Sequence, residues 1–360
     1  MTRWLIVAVL VAPLAVLPVS SGLHLAETKN YAFLFAGAGV VLHLVRNGWV
    51  RAFSVAAVLG YVLAGAPVWA LSGVLGVLAW ALLFQQAATL SPTSWRKVRL
   101  AIVASAGVQV AWMGVQWAGR DPLFNAAMTQ GLVLPASTPI SGFFGNPMDL
   151  ALYLGVSLPF LAAAHPLLAL VTAAAMAWWL PTTMGALAIG ITALWMARHV
   201  VQGWLTRSAA AVTVAAALAG YLVLFDQQTL AFDHQGVGLK AAAWAEGLRA
   251  VAERPWIGWG PNALDHRVFL VTPRYAVYWN FLFNEWIQGA LELGVLAPVC
   301  ALGFAVSLVR RLRGRIAEVG ALAPAALIIA VASLVSIPFR IGPVALLAAL
   351  VFGRLDRRLA

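Results

Sequence analysis

The sequence predicts an all-α, polytopic integral membrane protein, and three observations predict it. Hydrophobic residues make up 62% of the 360 positions and charged ones only 10%, so the solvent for most of the chain must be lipid. The apolar residues fall in runs of about membrane-span length, separated by short polar connections. The basic residues, which give a net charge of +11, are grouped in small clusters between those runs. That charge is expected to meet anionic headgroups and the bilayer surface, with no nucleic acid as partner.

In chain order the candidate spans lie near 4–23, 31–45, 52–65, 68–86, 99–118, 148–164, 167–180, 183–197, 209–225, 284–309, 320–338 and 341–352, about twelve in all. The first follows Arg3 and ends in Val19-Ser20-Ser21-Gly22, small residues resembling a leader-cleavage site; it is expected to be a retained span. Several later runs are short. They are expected to be tilted pairs around turns at Gly65-Ala66-Pro67, His165-Pro166 and Pro181-Thr182, or re-entrant pieces. No repeat of fixed period is visible, so residues 1–360 are expected to form one integral domain. Cys300, the only cysteine, lies in an apolar run, which excludes an intramolecular disulfide and a thiolate metal cluster.

Charge sets the orientation. With the amino terminus inside, the inner connections collect Arg3; Arg46 and Arg51; Arg96, Lys97 and Arg99; Arg198 and Arg207; Arg310, Arg311, Arg313 and Arg315; and Arg354, Arg357 and Arg358, which is 15 of the 23 basic residues. Both termini are therefore expected in the cytoplasm, and the 226–282 loop outside. That loop is the longest polar stretch, with Lys240, Arg249, Arg254, Arg267, Arg274 and five acids. Trp244, Leu248 and Val251 are spaced for a helix over 239–253 lying at the interface. Arg254-Pro255 closes it, because the residue before a proline is driven out of the helical region. Trp256 to Asn262, with two glycines and a proline among aromatics, predicts a shaped turn. Tryptophans at this level ordinarily anchor in the headgroups.

The span after the loop opens Asn284-Glu285-Trp286-Ile287-Gln288. Glu285, Gln288 and Glu292 share one face by their three-then-four spacing, with Glu292 about 10 Å deeper than Glu285. Lipid excludes such a face, so it either lines a cleft open to the outside or is packed away, with Asn284 and Glu285 as first-turn residues and Glu292 paired with an arginine. The depth of Glu292 favours the cleft. A second polar site is Ser141-Gly142-Phe143-Phe144-Gly145-Asn146-Pro147-Met148-Asp149. Asn146 as cap and Pro147 at the first helical position are a helix start in themselves. The free amides there can hold a phosphate, although Asp149 already supplies negative charge. Arg120, Arg267, Arg274 and Arg340 are all expected at the outer surface. Singly, each is a snorkelling or ion-pairing residue; together, over an acid-lined cleft, they suit a diphosphate. The chain has no Asp-x-Asp, no His-x-x-x-His and no glycine-rich phosphate loop with lysine, so neither a metal site nor a cofactor is expected.

In this order the landmarks resemble the O-antigen ligase and O-antigen polymerase superfamily of bacterial envelope enzymes. They are Glu27-Thr28-Lys29, Gly142 to Pro147, Trp244 through Arg254-Pro255-Trp256-Ile257-Gly258-Trp259-Gly260, Asn284 to Gln288, and Glu292-Leu293-Gly294. The resemblance implies a metal-independent glycosyltransferase of the multi-span C type in the bacterial inner membrane. Its donor would be an oligosaccharide on a polyprenyl diphosphate at the periplasmic face, and its acceptor a glycan, a lipid A-core or a protein. It further implies Arg267 and Arg274, with Arg120, on the diphosphate, and Glu285 as base or acceptor-orienting group. Asn146, Lys240, Arg249, Asn284, Gln288, Glu292 and Arg340 would complete the substrate site. The chain departs from the pattern at Phe283, where the ligases have histidine, at Thr183-Met184-Gly185, where Ser-Arg-Gly is usual, and at Lys240, where arginine is common. Two other classes compete: a secondary transporter or flippase using Glu292 and the arginines as a path, and a family member that binds lipid-linked glycan without turnover.

Overall fold

The computed structural model describes residues 43–64, 70–121, 140–144, 146–180, 182–197, 237–265, 271–272, 277–278 and 281–360. The spans expected at 4–23 and 209–225, and nearly all of that at 31–45, lie outside the described residues. Among the described residues nine helices belong to the apolar part of the chain: α1 (Gly48–Leu63), α2 (Leu71–Thr89), α3 (Pro92–Trp117), α4 (Pro147–Ala164), α5 (Pro166–Trp179), α6 (Thr183–Ala197) and, after the long loop, α9 (Leu296–Leu312), α11 (Leu322–Val335) and α12 (Gly342–Leu359). The loop contributes α7 (Val237–Glu253), and two short helices are α8 (Glu285–Leu293) and α10 (Ile316–Val319). The extended structure among the described residues is one two-residue pairing, β1 (Val271–Thr272) antiparallel to β2 (Val277–Tyr278).

The chain is thus all-helical in character. By length and composition α2, α3 and α4 can each cross a membrane, while α1, α5, most of α6 and α11 are apolar but shorter. Several helices begin where side chains satisfy the free amides of the first turn. Asn47 accepts from the amides of Trp49 and Val50 to start α1, Ser91 before Pro92 starts α3, and Asn146 before Pro147 starts α4. The Ser91-Pro92 start lies well before the apolar run at 99–118, so Arg96, Lys97 and Arg99 are helical. Likewise α12 runs past its apolar segment through Arg354, Arg357 and Arg358.

Helix α4 is central. Every residue from Leu150 to Leu161 is buried, and α3, α5, α6, α11 and α12 all pack on it. Small residues permit the closest approaches, as expected where lipid removes the hydrophobic drive between helices. Gly155 of α4 lies against Ala188 of α6, and Gly353 of α12 lies so near the Phe84 carbonyl of α2 that a Cβ would stand 2.1 Å from the oxygen. A buried polar pair ties α4 to α3: the Tyr153 hydroxyl donates to Ser105 Oγ at 2.8 Å.

Four of the basic clusters assigned to the inner side meet at one end of the bundle. Arg311 Nη2 donates to Asp356 Oδ1 at 2.6 Å, and Asn47 Nδ2 donates to the same oxygen at 3.0 Å. Buried Arg354 donates to the Leu90 carbonyl at 2.6 Å, at the C-terminal end of α2, and its guanidinium lies over Trp95. Arg315 donates to the carbonyls of Arg358 and Leu359.

The span expected as one helix over 284–309 is instead α8 and α9, broken at Gly294 with φ 75° and ψ 177°. Gly353→Ala is expected to push α2 from α12 and cost about 1–3 kcal/mol. Gly76→Ala on α2, where a Cβ meets open space, should leave unfolding in detergent unchanged.

Candidate active site

Helix α8 begins with a strong cap. Asn284 Oδ1 accepts from the amides of Trp286 at 3.0 Å and Ile287 at 3.1 Å, and its Nδ2 donates to the Leu334 carbonyl at 2.9 Å. Trp286 Nε1 donates to Ser333 Oγ at 3.0 Å, a second tie to α11. These contacts fix the rotation of α8 and so the aim of its polar stripe.

Along that stripe, Gln288 Oε1 accepts from the Leu282 amide at 3.0 Å and Gln288 Nε2 donates to Glu292 Oε1 at 3.0 Å. Arg340, from the connection between α11 and α12, donates through Nη2 to Glu292 Oε2 at 2.7 Å. Its Nε lies 3.8 Å from Glu285 Oε2, and the Phe339 amide donates to Glu285 Oε1 at 2.9 Å. Two carboxylates therefore share one guanidinium. Glu292 holds it closely and is 5% exposed at the side chain, whereas Glu285 is more distant and 14% exposed.

The shared face exists as the spacing predicts, but Gln288 and Glu292 are buried rather than lining an open cleft. The physical reason is Arg340: an unpaired carboxylate within apolar packing is far costlier than one held by a guanidinium and hydrogen bonds.

The turn after α7 closes over the deep end of the stripe. Trp259 N donates to the Leu291 carbonyl at 2.8 Å, Gly260 N to the Glu292 carbonyl at 2.9 Å, and Val295 N to the Pro255 carbonyl at 2.8 Å. Glycine is required on both sides of this seam. A Cβ on Gly294 would stand 2.1 Å from the Trp256 carbonyl oxygen, and one on Gly258, at φ 66°, 2.5 Å from that of Glu292. The tryptophans divide in role. Trp256 is 72% exposed, as a headgroup anchor would be. Trp244 and Trp259 instead donate internally, to the Leu282 carbonyl at 2.6 Å and the Ala250 carbonyl at 2.8 Å, and Arg254 stacks over Trp259. Phe283 is held at φ 51°, a left-handed conformation uncommon for a bulky residue. It is fixed by the Leu282 and Asn284 contacts on either side, with the Lys240 ammonium 5.2 Å above its ring.

The structure thus brings together Asn284, Glu285, Gln288, Glu292 and Arg340, with Lys240 at the edge. Arg249 is exposed and paired with Glu246 on its own helix. Arg120 is exposed in the turn ending α3, and Asn146 is exposed as the cap of α4. Arg267 and Arg274 lie outside the described residues, as do His234 and His266, the loop histidines that could stand in for the one that Phe283 replaces. The sequence reading missed Gln109 and Gln116. Gln116 Oε1 accepts from the amides of Ser141 at 3.0 Å and Gly142 at 2.8 Å, and Gln109 Oε1 accepts from Phe143 N at 3.1 Å. Two glutamines seven residues apart on one face of an apolar helix were the available signal.

No protein-family model matches the chain, and no curated protein matches it in sequence.

Arg340→Leu leaves the buried carboxylate of Glu292 and the half-buried one of Glu285 without their cation and is expected to cost about 3–5 kcal/mol. Glu285→Gln, whose longer contact leaves Arg340 with Glu292, should cost much less; unfolding of the detergent-solubilised variants compares them.

Proposed function

We propose that this chain is a metal-independent membrane glycosyltransferase of the O-antigen ligase and polymerase type. In this view it lies in a bacterial inner membrane, with about twelve spans, a C-type architecture and both termini in the cytoplasm. At the periplasmic face it transfers or polymerises oligosaccharide carried on a polyprenyl diphosphate, to a glycan, lipid A-core or protein acceptor. One observation carries the proposal. Three of the stretches that bear the resemblance come together here: Arg254 to Gly260, from the loop, is hydrogen-bonded to the helix that carries Asn284 to Gln288 and Glu292 to Gly294, whose Glu285 and Glu292 both face Arg340.

Within that unit the division of labour follows from geometry. Glu292 is committed to Arg340, so Glu285 is the carboxylate left with an accessible edge, suited to orient an acceptor hydroxyl and take its proton. Arg340 and the loop cations, Arg267 and Arg274 among them, would offset charge on the departing diphosphate. Phe283 supplies no proton carrier, so that task would fall to Glu285, with His266 and His234 of the loop as the alternatives.

The break at Gly294 beside a buried arginine-glutamate pair also fits a transporter, where interrupted helices form substrate sites. The test is transfer of a labelled lipid-diphosphate oligosaccharide by purified protein without added metal. Glu285→Gln and Arg274→Ala are each expected to lower turnover by about 10²-fold or more with folding intact. Substrate flux into proteoliposomes without transfer would establish the transporter instead. Phe283→His should fold, because histidine tolerates a left-handed backbone better than phenylalanine. Turnover appearing only in that variant would identify a glycan-binding member with a disabled site.

A further inference from the structure

At the opposite, basic end, two adjoining cavities run between α1 and α9. One, of about 540 Å³, is lined by Asn47, Trp49, Ser307 and Arg311. The next, of about 340 Å³, is lined by Val55, Leu59, Leu296 and Cys300, with Arg51 at its edge. Gly48 and Ala52 line both, so they form a single groove whose character changes from polar to apolar along its length. We propose that this groove binds one anionic phospholipid, with its phosphate at Arg311 and Arg51 and an acyl chain along Val55 and Leu296.

Dimensions, polarity and charge agree with that occupant. From Arg311 to Leu296 the helix rises about 22 Å at 1.5 Å per residue, close to half of a bilayer counted with its headgroups. Trp49 marks the headgroup level. It is 41% exposed, and its indole lies on Gly303, where a Cβ would come within 2.6 Å of the ring, so the wall there is aromatic and flat. Arg46 and Arg51 are exposed beside it. Arg51 donates to the Val45 carbonyl at 2.7 Å, which turns its guanidinium toward the start of α1. The acids at this end, Asp356 and Glu318, are already held, the first by Arg311 and Asn47 and the second by Arg315. Positive charge is therefore in excess, and a phosphate would join a network whose donors outnumber its acceptor. A free phosphate would leave the apolar half unfilled, and a neutral lipid would leave the cations unanswered.

The full chain in mild detergent, examined by native mass spectrometry, separates these cases. Phosphatidylglycerol, phosphatidylcholine and inorganic phosphate are titrated in turn. Phosphatidylglycerol is expected to be retained as a single adduct at least about fivefold more tightly than phosphatidylcholine, since each cation near an anionic headgroup contributes about that factor. Ala52→Trp fills the groove where its halves join, at an exposed position with no polar contact. It should abolish the adduct while melting with the unmodified protein. Arg311→Gln should erase the preference for phosphatidylglycerol; if its loss of Asp356 prevents folding, Ala52→Trp decides alone. Equal retention of the two lipids, competition by inorganic phosphate alone, or an adduct indifferent to Ala52→Trp, as when residues 1–42 close the groove, would each overturn the proposal.

Discussion

The architecture around the candidate site depends on the interruption at Gly294. An apolar helix that stops inside a bundle leaves carbonyls and amides with no water to satisfy them, and each such orphan is expensive. Here the missing partners are supplied by backbone, not side chains: the turn from Pro255 to Gly260 gives and takes hydrogen bonds at Leu291, Glu292 and Val295. That exchange requires two chain segments at sub-van der Waals distances for any Cβ, which only paired glycines allow. Once the seam is made, the end of α7, the loop tryptophans and the stripe on α8 have fixed positions relative to one another. Glu285 and Arg340 inherit their geometry from it.

The chain keeps two kinds of electrostatics apart. At the basic end, cations outnumber acids and most are exposed, which suits screened, adaptable contact with headgroups. Around α8 the charges are few, packed and matched to named partners, two carboxylates to one guanidinium. The first arrangement orients a protein in a membrane; the second constrains where a proton or an anionic group can be accommodated.

The all-helical character, the central run at 148–164, the helix over 239–253 and the cap at Asn146 were legible because each rests on local chemistry: hydropathy period, a proline at the first turn, an asparagine before it. The common face of Glu285, Gln288 and Glu292 was legible for the same reason. Its burial was not, since that depends on Arg340, 48 residues beyond Glu292 in the chain. The break at Gly294 was hidden by the apolarity that runs from Leu293 to Val306 across it; Gly294 and Pro298 were local signals, but a glycine need not stop a helix, and the stop is completed by Pro255 and Trp256 arriving from elsewhere. Tryptophans whose place in the loop suggests membrane anchors serve in part as internal donors, Trp244 to the Leu282 carbonyl and Trp259 to that of Ala250.

Gln116 holds both borders of one connection with a single side-chain amide. Its nitrogen donates to Asp121 Oδ2 at 2.7 Å, and its oxygen receives the amides of Ser141 and Gly142. The ends of the 121–141 segment are thereby fixed to α3 regardless of what lies between them. Since the entropy of closing a loop grows only slowly with its length, this connection can lengthen, shorten or change composition between lineages while the start of α4 keeps its place. The bundle beneath is thereby insulated from changes in that connection.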